Sequence, residues 1–306
     1  MGKYMNSIAS YIKSGIKAML PKHLRTWLLR RRREQQKNKK KSLFENSLRK
    51  TDVFLVGHPK SGNTWLAYML AILTQKDHER RVNLSDVGDF LPTIHGVDHR
   101  IAVYNHLLIP RIFRTEGPQY PEHYPKTIYI LRDPRSVLLS YYHHCVHDTG
   151  RTEWLISDFV DEMITEGCIK SLEPHIVRWD KQVEAWLERA KRQPVIFVKY
   201  EDLKRDCRAT LEQIQNFIGL DCDDSILALA VERGDFSKMR RDEEKYGAES
   251  YPDEKGKRGF FVRKGKIDSW KEEMPEDVIA NIEESFYPVM KKMGYTLHKQ
   301  TGVKGE

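Results

Sequence analysis

The apolar positions of this chain fall into two repeating patterns. Short unbroken runs, Val53-Phe54-Leu55-Val56, Ile128-Tyr129-Ile130-Leu131 and Val195-Ile196-Phe197-Val198, have the length and β-branched content of buried strands. Between them lie stretches with helical spacing. Leu66, Met69, Leu70 and Leu73 recur at i, i+3, i+4 and i+7, and Leu211, Ile214, Phe217 and Ile218 form a second stripe, ended by Gly219. A last helix is expected from Pro275 to Gly294. Strands alternating with helices predict an α/β fold: a parallel, P-loop-like sheet flanked by helices on both faces, in one domain. Sites in such sheets lie at the carboxyl ends of the strands.

The turn after the first run is the most informative. Gly57-His58-Pro59-Lys60-Ser61-Gly62-Asn63-Thr64 joins a predicted strand to a predicted helix with two glycines, a lysine and two hydroxyls. That arrangement points free backbone N–H groups at an anion. Gly57 and Gly62 have the spacing of the nucleoside-triphosphate P-loop, but Asn63 stands where that motif needs its lysine. The lysine sits inside the loop instead, at position 60.

Composition changes the picture in one respect. The 306 residues carry a formal net charge of +8. Residues 1–50 hold fifteen Lys/Arg against Glu34 and Glu45, which places +13 on this segment and leaves −5 on the rest. We expect a basic arm over 1–50, a domain over 51–297 and a short tail over 298–306. Ile8, Tyr11, Ile12, Ile16, Met19 and Leu20, then Leu24, Trp27, Leu28 and Leu29, can line one side of the arm, beside the block Arg30 to Arg33. Apolar side chains and a tryptophan beside arginines suit an anionic membrane surface, so a cytoplasmic protein is expected, with peripheral contact through residues 1–41 on the inner membrane face. Nucleic acid is not an expected partner, because the domain behind the arm is acidic. Cys145, Cys168, Cys207 and Cys222 have no CxxC or metal-ligand spacing, so neither a disulfide nor a metal site is expected. No run of 18 apolar residues suggests a membrane span.

Pro59-Lys60-Ser61-Gly62-Asn63-Thr64-Trp65 resembles the 5′-phosphosulfate loop of sulfotransferases that use 3′-phosphoadenosine-5′-phosphosulfate (PAPS), where a threonine is usual at the place of Asn63. The resemblance, to the cytosolic type and in a bacterial-looking member, extends along the chain. Arg132-Asp133-Pro134 followed by Ser140-Tyr141-Tyr142-His143 is similar to the family's 3′-phosphate segment, which implies that Arg132 and Ser140 hold that phosphate. Asp133 and Pro134 are also a good N-cap and first helical residue. Tyr200-Glu201-Asp202-Leu203 matches a family segment whose tyrosine lies near adenine, and Phe236 aligns with another adenine contact. Arg263-Lys264-Gly265 resembles a second 3′-phosphate grip, although Asp268-Ser269 alters the turn behind it.

The resemblance implies transfer of a sulfuryl group from PAPS to an acceptor hydroxyl, in line, with PAP as the other product. Cofactor binding then falls to Lys60, Ser61, Gly62, Asn63, Thr64, Trp65, Arg132, Ser140, Tyr200, Phe236, Arg263, Lys264 and Gly265. Lys60 also stabilises the departing phosphate. The family's usual base is a histidine, and two alignments compete for it. Pro110-Arg111-Ile112-Phe113-Arg114-Thr115-Glu116 puts Glu116 in its place; the other takes His106. Glu116 is preferred, as a carboxylate ionised at neutral pH. The acceptor is a small-molecule, glycan or lipid-linked alcohol. The alternatives are a P-loop-like kinase using Mg-ATP and a nucleotide-binding scaffold without catalysis.

Overall fold

The computed structural model describes residues 22–75, 81–94, 101–107, 109–149, 153–169, 176–248 and 265–298. It divides into two compact units, residues 1–48 with 97–103, and 49–96 with 104–306. In the first, helix α1 (Lys22–Ser47) presents Arg30 to Arg33 and Lys37, Lys39 and Lys40 exposed. The apolar positions expected between Ile8 and Leu20, and the side chains of Leu24, Trp27 and Leu28, lie outside the described residues.

The second unit is built on four parallel strands in the order β2-β1-β3-β4: β1 (Val53–Gly57), β2 (Ile112–Thr115), β3 (Lys126–Leu131) and β4 (Val195–Lys199). In register, Val56 faces Thr115 on one side and Tyr129 on the other, and Gly57 faces Ile130. The chain leaves β1 for β2 on one flank and then returns to β3 on the opposite flank. The crevice beyond the carboxyl ends of β1 and β3 is therefore the switch point where α/β sheets bind ligands.

Helices α2 (Asn63–Thr74) and α3 (Val87–Phe90) lie between β1 and β2, and α4 (Pro134–Thr149), α5 (Ile156–Thr165) and α6 (Trp179–Arg189) between β3 and β4. The chain closes with α7 (Tyr200–Arg205), α8 (Cys207–Ile218), α9 (Asp224–Arg233), α10 (Phe236–Tyr246), α11 (Trp270–Glu273) and α12 (Glu276–Lys292). The three expected strands and the stripe helices are present. Two features differ from the sequence reading. Helix α2 buries not one face but every residue from Leu66 to Leu73, because it is covered by the sheet and also packs on α3 and α9. And β2 is a strand that apolar runs did not announce, because two of its neighbouring side chains are buried arginines. Arg111 is paired with Asp52 at 2.8 and 2.5 Å, and Arg114 donates from Nε to the Leu91 carbonyl at 2.6 Å.

Helix ends follow local chemistry. Asp133 accepts from the Arg135 N–H at 2.9 Å ahead of Pro134, as an N-cap should. Gly219, in the left-handed region at φ 74°, ends α8, and Lys126 Nζ caps that end by donating to the carbonyls of Phe217 and Ile218, both at 3.1 Å.

Candidate active site

The loop after β1 turns tightly on itself. Ser61 N–H donates to the His58 carbonyl at 3.1 Å, Lys60 adopts φ 67° and Gly62 φ 103°. A non-glycine residue held left-handed costs about 1–3 kcal/mol, a strain that clusters at functional sites. At Gly62 the strain is avoided, and the position has a second requirement: a Cβ there would stand 2.7 Å from the Tyr200 ring. Helix α2 then starts with no side-chain cap and no acidic residue in its first turn. Its first N–H groups and the positive end of its dipole face the mouth of the loop, a ready anion site. Thr64 and Trp65 are half-buried in that turn, and Trp65 Nε1 donates to the Gly234 carbonyl at 2.8 Å.

The other motifs converge on this loop. Arg132, just past β3, donates from Nη1 to the Lys60 carbonyl at 3.1 Å and lies over the Tyr200 ring at 4.2 Å. Tyr200 in turn meets Trp65 edge-on at 5.2 Å. Lys204 Nζ stands 5.6 Å from the Trp65 ring and 5.8 Å from that of Phe236. Phe236 is also the wall behind Gly265, where φ is 61° and a Cβ would lie 2.4 Å from the ring. Two residues later the Ile267 carbonyl accepts from Ser136 Oγ at 2.7 Å, tying the turn to the first turn of α4. Ser140 is half-buried one helical turn further along α4. Asp268-Ser269 leads directly into α11, whose Trp270 is buried beneath Arg135, 3.9 Å from its ring. Arg263 and Lys264 lie outside the described residues.

Glu116 leaves the carboxyl end of β2. Its Oε1 accepts from Asn63 Nδ2 at 3.0 Å, and its backbone carbonyl accepts from Gln182 Nε2 at 3.0 Å. His106 lies exposed at the end of the 3₁₀ turn Ile101–His106, its ring 6.5 Å from Tyr104. The structure thus brings Lys60, Ser61, Gly62, Asn63, Trp65, Arg132, Tyr200 and Glu116 to one sheet edge, with Phe236 and Gly265 beside them. None of the described contacts of His106 is with this loop.

Several polar atoms at this edge are buried without a partner among the described residues: His58 Nε2, Ser61 Oγ, Asn63 Oδ1 and Arg132 Nε. Buried donors are costly to leave unmade, and a hydroxyl and a guanidinium N–H beside an uncapped helix start fit the oxygens of a phosphate or sulfate. Burial pushes His58 down to about 4, so its imidazole is neutral.

One residue that motif reading passed over shapes the site. Glu201 accepts from the Asp133 N–H at 3.0 Å and from the Tyr295 hydroxyl at 3.2 Å, and its carboxyl is pushed up by burial. Its match to a family segment singled out the neighbouring tyrosine, and nothing local marks the glutamate as the brace between the strand exits.

A strand-to-helix loop at the switch point of a parallel sheet, with an arginine from the adjacent strand closing on it, is an arrangement suited to an anion carried on a nucleotide. Residues 50–294 match the family described as Sulfotransferase domain, and the chain belongs to that family. Among its relatives, the amine sulfotransferase of Oryctolagus cuniculus is 25% identical over 262 residues, covering 82% of this chain and 84% of the relative. Sulfotransferase 1C2 of Homo sapiens is 24% identical over 242 residues, covering 72% and 76%. In structure the chain is similar to mouse sulfotransferase SULT7A1 complexed with PAP, at TM-score 0.60 and 22% identity over 80% of this chain and 86% of that one. It is also similar to retinol dehydratase in complex with androsterone and inactive cofactor PAP, at TM-score 0.56 and 22% identity, covering 85% and 86%. The chain is therefore a sulfotransferase and not a kinase. The rabbit, human and mouse relatives lend no support to the bacterial-looking affinity read from the sequence.

Proposed function

We propose that this sulfotransferase takes PAPS across the carboxyl ends of β1 and β3 and passes its sulfuryl group to the hydroxyl of a small-molecule acceptor, with Glu116 as general base. The observation that carries the reading is the meeting of the donor loop and the only carboxylate hydrogen-bonded to it among the described contacts, through Asn63 at 3.0 Å. PAPS supplies an activated sulfur with PAP as its leaving group. The chain's residues do the rest. The loop 60–65 and the start of α2 hold the 5′ end, with Lys60 neutralising charge on the departing oxygen. Arg132 and Ser140, with Arg263 and Lys264, hold the 3′-phosphate. Trp65, Tyr200 and Phe236 flank the base of the nucleotide. Glu116 takes the hydroxyl proton as the acceptor oxygen approaches sulfur.

Two further readings belong with this one. The acceptor is a hydroxyl compound, a class supported by the androsterone in the retinol dehydratase structure; a glycan or a lipid-linked alcohol is the finer possibility that an acceptor screen by mass spectrometry separates. The exposed basic face of α1 supports contact with an anionic membrane surface. No helix among the described residues is long and apolar enough to cross a membrane. Deleting residues 1–41 should abolish co-sedimentation with anionic vesicles, and unchanged binding would remove the idea.

The function is tested with purified full-length chain, PAPS and an acceptor panel. Glu116→Gln should lower turnover by roughly 10²–10⁴, the usual share of a general base. His106→Ala should leave it near wild type. The reverse pattern would transfer the role to His106.

A further inference from the structure

We infer that Asn63 is a positioning residue for the general base: its side-chain amide serves Glu116 and not the nucleotide. This rests on the reading of Glu116 as the base.

Two hydrogen bonds fix the amide. Asn63 Nδ2 donates to the His58 carbonyl at 3.1 Å and to Glu116 Oε1 at 3.0 Å. Both neighbours are acceptors, so only the NH₂ end can face them, and the orientation of the amide is settled by its surroundings. The opposite end, Oδ1, is buried over Gly57, where a Cβ would come within 2.5 Å of it. A glycine at 57 makes room for this orientation. Asn63 is also the first residue of α2, immediately after the left-handed Gly62, so its backbone is set by the anion loop itself.

The main chain of Glu116 is held from the other side. Its carbonyl accepts from Gln182 on α6, and the Gln182 Oε1 accepts from the hydroxyl of Tyr129, buried in the middle of β3, at 3.0 Å. One amide therefore fixes the backbone of residue 116 and another fixes one oxygen of its carboxylate. Holding Oε1 sets the plane in which the second oxygen can meet an acceptor hydroxyl. An N–H donated to a carboxylate also favours its ionised form, the form that takes a proton. The base is thereby locked to the same loop that receives the donor, and the distance between the two is set by one side chain.

The test compares wild type, Asn63→Ala, Asn63→Ser, Glu116→Gln and the Asn63→Ala/Glu116→Gln double variant. Turnover is followed against pH, PAP affinity by calorimetry, and folding by thermal melting. Serine is included because a small polar residue at the helix start preserves folding while its hydroxyl is too short to replace the amide. Both Asn63 variants should lose turnover roughly tenfold or more, the worth of a hydrogen bond to a charged group. The acid limb of their rate profile should move toward neutral pH, PAP affinity should hold, and in the Glu116→Gln background removing Asn63 should cost little further. If PAP affinity falls in step with turnover while the acid limb stays in place, or if the two losses simply multiply, Asn63 serves the nucleotide and the inference fails alone. A mild effect of Glu116→Gln would instead strike the base reading, and this inference with it.

Discussion

His58 shows how far one side chain's setting decides its behaviour. Its Nδ1 stands 3.1 Å from the Pro59 carbonyl, an acceptor, so a proton on Nδ1 is held there by that carbonyl. Nothing in the sequence separates it from the other histidines; burial beside Tyr141 on α4 holds it at about 4, outweighing the backbone carbonyls of Pro59 and Val177, which pull the value the other way. Because the folded value lies below the ordinary 6.5, the imidazole is neutral in both states above that pH. Below it the unfolded chain binds the proton first. Stability should therefore fall as pH drops from about 6.5 to about 4, by roughly 3 kcal/mol in all. Thermal melting over that range should show the decline, and His58→Gln should flatten it. An equal slope in the variant would assign the decline to other groups.

At the scale of elements, the donor site is a loop closed by its neighbours. Arg132 reaches back from β3 to the Lys60 carbonyl and rests on Tyr200, whose ring fills the space that a side chain at Gly62 would need. Gly62→Ala should combine a left-handed penalty of about 1–2 kcal/mol with displacement of that ring. PAP affinity and melting temperature should fall together; an alanine variant that binds PAP as wild type does would show that the ring has room to move. Arg132→Lys keeps the charge but loses the planar fork and the stacking. Its preference for PAP over adenosine 5′-phosphate should drop by roughly tenfold, as befits a charge-assisted bond lost. An unchanged ratio in calorimetry would separate Arg132 from the 3′-phosphate. Strand β2 shows the limits of reading elements from patterns. Arg111 and Arg114 disguise Ile112-Phe113 as a polar stretch, and what buries them is Asp52 and the Leu91 carbonyl, 59 and 23 residues away.

For the whole molecule, the proposed grip on both ends of the donor predicts selective stabilisation. PAP at a hundredfold its Kd should add about 2.7 kcal/mol. In EDTA this should raise the melting temperature by several degrees, at about 2–4 °C per kcal/mol for a domain of this size. Mg-ATP should give far less; an equal shift from Mg-ATP would contradict a site built for two separated phosphates. Three strands, the turn from β1 into α2 and the caps at Asp133 and Gly219 were all legible in the sequence, because each depends on residues within a few positions of one another: backbone sterics, capping and burial period are local. The order β2-β1-β3-β4 was not legible, nor was the strand that delivers Glu116. Asn63 and Glu116 are 53 residues apart, and Gln182 lies 66 beyond Glu116. Sequence by itself determined which groups could bind an anion or take a proton. Only the tertiary structure decided which of them meet, because the neighbour of each strand is chosen by packing across the whole sheet and leaves no mark at the residues it brings together.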